Sequence, residues 1–158
     1  MRRFLTVLAL FLVGLTVAPS PAHADFTTFL GVSTTPASRQ AKGFAVGIGL
    51  VVIGFEFEYA GVVERLADGA PSLRTGMLNG LVQTPTKTQL YLTAGGGFFR
   101  ERLASASKTS FGTNVGGGIK FSLAGPIRLR VDYRVFTLRG SPLYSNPQRI
   151  YGGLNIAF

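Results

Sequence analysis

The sequence predicts an all-β fold, an antiparallel eight-stranded up-and-down transmembrane β-barrel that follows a cleaved signal peptide. Three observations predict it. The chain opens with the pattern of an export signal, its remainder alternates between apolar and polar residues, and the connections between the alternating segments are short and long in turn. Alternation indicates strands with two unlike faces. Short turns at one end and longer loops at the other are typical of barrels that cross a membrane.

The N-terminal segment predicts export. Two arginines precede the uncharged, apolar-rich stretch 4–17, and two prolines follow it. Residues 22–24, Ala-His-Ala, give the small-x-small pattern of a cleavage site. A membrane-anchoring helix is the alternative, but the stretch is shorter than the roughly 20 residues that such a helix needs. We therefore expect cleavage to remove residues 1–24 and to leave one domain, residues 25–158.

The alternation predicts eight strands joined by seven connections. The strands are expected at 26–34, 42–50, 53–62, 74–83, 88–101, 111–122, 127–138 and 149–158. Short connections are expected at 51–52, 84–87 and 123–126, and longer ones at 35–41, 63–73, 102–110 and 139–148. All six prolines of the domain fall in these connections, as expected because proline cannot donate to a strand ladder.

Charged residues alternate with apolar ones in several predicted strands, and we expect them to share the barrel interior. A lipid-facing arginine costs roughly 2–4 kcal/mol at the bilayer midplane, so the charged faces should point inward. The predicted structural network of ion pairs comprises Glu56, Glu58, Lys120, Arg128, Arg130, Asp132, Arg134 and Arg149. An ion-selective passage is the sharper interpretation, but an eight-stranded interior is just wide enough for side chains.

Composition limits the chemistry of the domain. The chain has 16 basic and seven acidic residues; without the two arginines of the signal peptide, the domain keeps a net charge of +7. The only histidine, His23, lies in the predicted signal peptide, and there is no cysteine. This excludes Ser-His-Asp and Cys-His nucleophilic sites and the usual zinc sites. An acid–base pair of Glu56 and Glu58 is conceivable, but the nearby arginines favour ion pairing. We expect no enzymatic activity, no cofactor, no metal and no nucleic-acid partner.

Two other architectures fit parts of the pattern. Residues 43–63 could form one transmembrane helix, but Glu56 and Glu58 would then lie in or near hydrocarbon, where charges are rare. A soluble periplasmic barrel that binds lipid would show the same period of two, with its apolar face pointing inward. The soluble barrel and a small-solute pore stay open as alternatives.

Three C-terminal segments carry a family resemblance. They are Gly-Gly-Gly-Ile-Lys-Phe at 116–121, Arg-Val-Asp-Tyr-Arg at 130–134 and Tyr-Gly-Gly-Leu-Asn-Ile-Ala-Phe at 151–158. In this order, the segments resemble the closing strands of the small OmpA/OmpX-like outer-membrane β-barrel proteins ("porin family") of Gram-negative bacteria. The resemblance implies location in the outer membrane and assembly by the insertion machinery, which reads the final strand. The predicted assembly signal comprises Ile150, Leu154, Ile156 and Phe158.

The resemblance does not imply one activity, because a fold does not fix a function. We expect a monomer in contact with outer-membrane lipid, with a structural, envelope-integrity or surface-loop (adhesive) role. Basic residues of the longer loops could hold the phosphates of lipopolysaccharide through charge-assisted contacts. These residues are Arg39, Arg65, Arg74, Arg102, Lys108 and Arg139.

Overall fold

The computed structural model describes residues 22–158. These residues form a closed barrel in which each strand pairs antiparallel with the next and the last strand pairs with the first. The strands are β1 (His23–Ser33), β2 (Arg39–Gly49), β3 (Ile53–Val62), β4 (Ser72–Gln83), β5 (Thr88–Leu103), β6 (Ala106–Ala124), β7 (Ile127–Leu138) and β8 (Gln148–Ala157). A short 3₁₀ helix, Leu66–Asp68, lies between β3 and β4. The predicted fold class, an eight-stranded up-and-down barrel, is confirmed.

The predicted signal peptide lies almost entirely outside the described residues, which begin at residue 22. Strand β1 begins at His23, two residues before the predicted first residue of the domain, Asp25. The backbone N–H and C=O of Ala24 both pair with Phe158, at 3.0 and 2.9 Å. Cleavage after Ala24 stays a prediction. Within residues 22–158, no helix is long and apolar enough to span a membrane.

The two ends of the barrel differ in their connections. Connections 34–38, 63–71, 104–105 and 139–147 lie at one end, which we call the loop end. Connections 50–52, 84–87 and 125–126 lie at the other end, the turn end, together with the start of β1 and the end of β8. Most predicted strand boundaries agree with the structure within three residues.

The largest departure from the predicted boundaries is the hairpin of β5 and β6. Residues 102–110 were expected to form a loop, but the two strands continue to a turn of two residues, Ala104 and Ser105. Glu101 faces Lys108 in this extension, and both side chains contact the connection before β8: Glu101 accepts the backbone N–H of Leu143 at 3.1 Å, and Lys108 donates to the carbonyl oxygen of Ser141 at 3.2 Å. The prediction was wrong because it required an apolar face along every strand. The part of a hairpin that extends beyond the membrane does not need an apolar face.

The barrel interior contains an apolar cluster near the loop end and a set of charged groups that extends from mid-barrel towards the turn end. The apolar cluster comprises Ala41, Val62, Leu73, Met77, Phe99, Phe136 and Leu138. Glycines of β5 and β6 make room for large neighbours: a Cβ at Gly118 would clash with the Tyr91 side chain and with the carbonyl oxygen of Val131. The glycine runs therefore serve close packing inside a narrow barrel.

The outer face of the barrel is a continuous belt of exposed apolar side chains. The large members of the belt include Phe26, Leu30, Phe44, Val46, Phe55, Phe57, Leu78, Leu92, Phe98, Val115, Val131 and Leu154. Soluble monomers rarely expose apolar patches beyond a few hundred Å². An apolar outside around a polar inside is the arrangement of membrane barrels. It is the reverse of the soluble lipid-binding barrel that the period of two also allowed.

Candidate functional site

Two arginines of β7 form the centre of the interior. Arg130 and Arg134 lie on the inward face of the strand and have no solvent exposure. The Arg130 guanidinium makes an ion pair with Glu56 and a second with Asp132, the latter with an Nη2–Oδ2 distance of 3.1 Å. Arg134 contacts three carboxylates: its Nη2 lies 2.9 Å from Oε1 of Glu56, its Nη1 lies 3.0 Å from Oε2 of Glu58, and its Nε lies 2.9 Å from Oδ1 of Asp132.

Two further pairs extend this centre. Arg149 of β8 pairs with Glu58, and its guanidinium carbon lies 4.8 Å from the ring centre of Phe136 in the apolar cluster. Lys120 of β6 pairs with Asp25 of β1 at an Nζ–Oδ2 distance of 2.6 Å. We call the eight charged groups the ionic lumen: Asp25, Glu56, Glu58, Asp132, Lys120, Arg130, Arg134 and Arg149. Four acidic and four basic groups leave the ionic lumen with no formal net charge.

Uncharged polar side chains add hydrogen bonds to the ionic lumen, although Oδ1 of Asp25 and Nε of Arg149 have no hydrogen-bond partner among the described residues. The Tyr91 hydroxyl donates to Asp132 and accepts from Nε of Arg130 at 2.7 Å. The Tyr151 hydroxyl donates to Glu58 at 3.3 Å. Thr27 accepts from Nη1 of Arg130 at 3.3 Å. A buried ion pair is favourable only when such additional hydrogen bonds satisfy its remaining polar atoms.

The structure brings most, but not all, of the predicted site residues together. Six lie in one connected set: Glu56, Glu58, Arg130, Asp132, Arg134 and Arg149. Lys120 faces the same lumen but pairs with Asp25. Arg128 lies nearer the turn end, half-buried, and its Nη1 donates to Oε1 of Gln89 at 2.9 Å, so it does not join a carboxylate.

Sequence reasoning missed Asp25, Tyr91 and Tyr151 as lumen residues. Asp25 directly follows the predicted cleavage site, so it was taken as a boundary and not as part of a strand. Tyr91 and Tyr151 are also buried in the lumen. The period of two in β1 gives Asp25 the same side as Thr27 and Phe29, which is the signal that could have found it.

The ionic lumen leaves little room for solute. The cleft between Asp25, Glu56 and Lys120 has a volume of about 10 Å³, which is the space of about one water molecule. Residues 22–158 contain no cluster of three His, Cys, Asp or Glu side chains that could hold a metal ion. The arrangement is suited to holding eight strands together through buried pairs.

The predicted loop cations have different surroundings. Arg39 is buried at the loop end, where its guanidinium donates to the carbonyl oxygens of Thr35, Val63 and Pro71. Arg65 forms an exposed pair with Asp68 at 3.1 Å.

The exposed cations Arg74 and Arg102 belong to strands β4 and β5, and their side chains line a cleft on the outer wall. Lys108 donates to the carbonyl oxygen of Ser141 at 3.2 Å, and Arg139 is exposed in the connection between β7 and β8.

The residues of the predicted assembly signal lie on the outer face. Ile150, Leu154 and Ile156 are exposed along β8, and Phe158 follows the strand as one of the most exposed large apolar residues of the barrel. Strand β8 pairs with β1 and closes the barrel. The structure gives the positions of these residues. Their recognition by the insertion machinery stays a prediction.

Comparison with known proteins gives matches of structure only. Neither a protein-family model nor a curated protein matches the sequence. The N-terminal β-barrel domain of Pseudomonas aeruginosa OprF has a TM-score of 0.65 and 12% identity over 87% of this chain and 100% of its own. Neisserial surface protein A has a TM-score of 0.65 and 17% identity over 87% of this chain and 96% of its own. The Yersinia pestis outer membrane protein Ail has a TM-score of 0.55 and 12% identity over 87% of this chain and 100% of its own.

One structural match corrects the expectation that this chain has no enzymatic activity. The outer membrane enzyme PagL has a TM-score of 0.51 and 12% identity over 84% of this chain and 98% of its own. The expectation was wrong because it rested on the lack of His and Cys and on the pairing of Glu56 and Glu58 with arginines, whereas proteins of this fold include an enzyme. At such identities the matches establish the fold, and this chain has the eight-stranded fold of the small OmpA/OmpX-like outer-membrane barrels.

Proposed function

We propose that this protein is an outer-membrane barrel with a structural role in the integrity of the cell envelope. The observation that carries the proposal is the inversion of polarity, with a charge-balanced ionic lumen inside an exposed apolar belt. A bilayer requires every backbone polar group to be paired, and a closed ladder of eight strands does so. The closed ladder also leaves no open strand edge among residues 22–158, which supports a monomer.

Two features support location in the outer membrane. The N-terminal segment has the pattern of an export signal, and proteins of this fold include the outer membrane protein Ail. Density-gradient fractionation of cells that express the tagged full-length chain tests the location. We expect the protein in the outer-membrane pool, with a mature N-terminus at Asp25 by mass spectrometry. Recovery in the soluble periplasmic pool would overturn the location.

A small-solute pore is the competing interpretation, and the packing of the lumen opposes it. The side chains of the Arg134 pairs with Glu56 and Glu58 are at most 1% exposed, so they fill the interior at mid-barrel. We expect purified protein to give no stepwise conductance in planar bilayers in which a known porin conducts. Regular conductance steps would replace the structural role with a transport role.

A surface-adhesive role is a second candidate, favoured by the hairpin of β5 and β6. This hairpin carries exposed residues at 104–109, beyond the buried part of the barrel. Shortening the hairpin at its turn should lower the attachment of expressing cells to a surface and leave the thermal stability of the barrel unchanged. Equal attachment by both forms would remove the adhesive candidate.

A further inference from the structure

Four basic side chains gather on the outer wall near the loop end. We call Lys42, Arg74, Arg100 and Arg102 the outer-wall cluster. The register brings them together: Gly61 faces Lys42 on one side and Arg74 on the other, and Arg74 faces Arg100. Within residues 22–158, none of the four forms an ion pair. The outer-wall cluster is therefore a concentration of unneutralised positive charge.

One carboxylate lies at the edge of the outer-wall cluster. Glu64 lines the same cleft, and its Oε1 accepts the backbone N–H of Ala104 at 2.7 Å. A single carboxylate opposes four cations, so the cleft keeps an excess of positive charge. Guanidinium groups bind phosphate through short, charge-assisted and often bidentate hydrogen bonds.

The cleft between these cations is open. Its volume is about 340 Å³, and Gly61 forms part of its lining. A Cβ added at Gly61 would meet no atom within 4 Å, so the absent side chain leaves free space between Lys42 and Arg74. A larger residue at position 61 would occupy the cleft without removing a charge.

An apolar groove continues from this cleft. The groove has a volume of about 840 Å³ and shares Lys42, Gly61 and Arg74 with the cleft. Its exposed apolar side chains are those of Phe26, Leu30, Phe44 and Tyr59. The rings of Phe44 and Tyr59 lie 5.9 Å apart between their centres, and those of Phe26 and Phe44 lie 6.3 Å apart.

Charge and apolar surface follow a fixed order along the strands. Phe44 lies two residues from Lys42 towards the turn end, and Phe98 lies two residues from Arg100 in the same direction. The cations therefore lie nearer the loop end and the aromatic rings nearer the middle of the barrel. This is the order of a phosphorylated head group above acyl chains in one leaflet.

We propose that the cleft and groove together bind a phosphorylated glycolipid of the outer leaflet, the lipid A part of lipopolysaccharide. Its phosphates contact the outer-wall cluster, and an acyl chain lies on Phe44 and Tyr59. A free phosphate would satisfy the cations but would leave the apolar groove uncovered. The proposal rests on the outer-membrane location proposed above, because the groove meets this leaflet only there.

Purified, folded protein in a zwitterionic detergent tests the proposal independently of location. Native mass spectrometry would measure binding of diphosphoryl lipid A, of lipid A without phosphates, and of inorganic phosphate. The variants are Arg74→Gln, which removes one charge, and Gly61→Leu, which fills the cleft and keeps all charges. Lys87→Gln removes an exposed charge from the turn end and serves as the matched control. Folding of each variant is checked by its electrophoretic mobility before and after heating.

We expect the wild type and Lys87→Gln to bind diphosphoryl lipid A equally. Arg74→Gln should weaken binding about tenfold, the size of one charge-assisted hydrogen bond, and Gly61→Leu should weaken it without any change of charge. Lipid A without phosphates should bind less well than the diphosphoryl form. If Gly61→Leu fails to fold, the binding of diphosphoryl lipid A by Arg74→Gln alone tests the proposal. Equal binding by wild type and Arg74→Gln would overturn the proposal, and so would binding of inorganic phosphate as tight as that of the lipid.

Discussion

The ionic lumen and the outer-wall cluster use the same residue types in opposite ways. In the lumen, four basic groups meet four acidic ones, and the paired side chains are at most 12% exposed. On the outer wall, four exposed cations share one carboxylate, that of Glu64. A buried charge without a partner is strongly destabilising, whereas a charge near the membrane interface costs roughly 0–1 kcal/mol. Paired charge therefore serves the fold, and unpaired charge is available to a ligand.

The largest effect, on outer-membrane insertion, is expected for a substitution of Phe158, which belongs to the apolar outer face. Phe158→Asp places a charge on the apolar belt beside the strand that closes the barrel. We expect it to reduce outer-membrane insertion severely and to leave degraded or aggregated protein, measured as the folded fraction in membrane extracts. Val131→Ala, also on the outer face, is the control and should insert normally. Normal yield and protease resistance of Phe158→Asp would contradict the assembly-signal interpretation.

The next effect is expected in the ionic lumen. Glu56→Gln removes the negative partner of both Arg130 and Arg134 and leaves buried positive charge. We expect the free energy of unfolding in detergent to fall by about 3–5 kcal/mol. Asp68→Asn breaks the exposed pair with Arg65 and should lower it by no more than about 1 kcal/mol. Similar losses for the two variants would mean that the lumen pairs are no more important than surface pairs.

A steric effect is expected at the glycines of the lumen wall. Gly118→Ala would force its Cβ against the Tyr91 side chain and the backbone of β7. We expect a loss of about 1–3 kcal/mol, as for other overpacked sites, in the same unfolding measurement. Gly76→Ala meets no atom within 4 Å and should be close to neutral. A neutral Gly118→Ala would show that the lumen is less tightly packed than the structure indicates.

The smallest effect is expected at Arg128, the predicted network member that lies outside the ion pairs. Its contact with Gln89 is half-buried, so Arg128→Gln should lower the free energy of unfolding by no more than about 1 kcal/mol. Arg130→Gln, two residues along the same strand, should have a several-fold larger effect. Equal effects at the two positions would place Arg128 in the network after all.

The barrel and the inward face of each strand could be predicted from the sequence because both follow from the period of two. The partners inside the lumen could not. Arg130 and Glu56 are 74 residues apart and lie on strands across the barrel from each other. Their contact depends on the closure of the sheet and on the register, which alternation does not specify.

The outer-wall cluster was missed for a related reason. Arg74 was placed in the loop set of basic residues, although its strand begins at Ser72. Lys42 and Arg100 were not singled out, because each lies inside a predicted strand, at 42–50 and 88–101, and not in a predicted loop. They become neighbours only through the register of β2, β3, β4 and β5.

The most direct test of the two uses of charge is the free energy of unfolding in detergent, measured with and without diphosphoryl lipid A. A ligand at 100 times its dissociation constant stabilises the folded state by about 2.7 kcal/mol. We predict that Glu56→Gln is unstable without lipid but gains the same increment as the wild type when lipid is added. Arg74→Gln should match the wild type without lipid and lose about half of the increment, because a tenfold weaker affinity lowers it to about 1.4 kcal/mol. Loss of stability without lipid in Arg74→Gln, or a full increment in its presence, would contradict the assignment of paired charge to the fold and unpaired charge to the lipid.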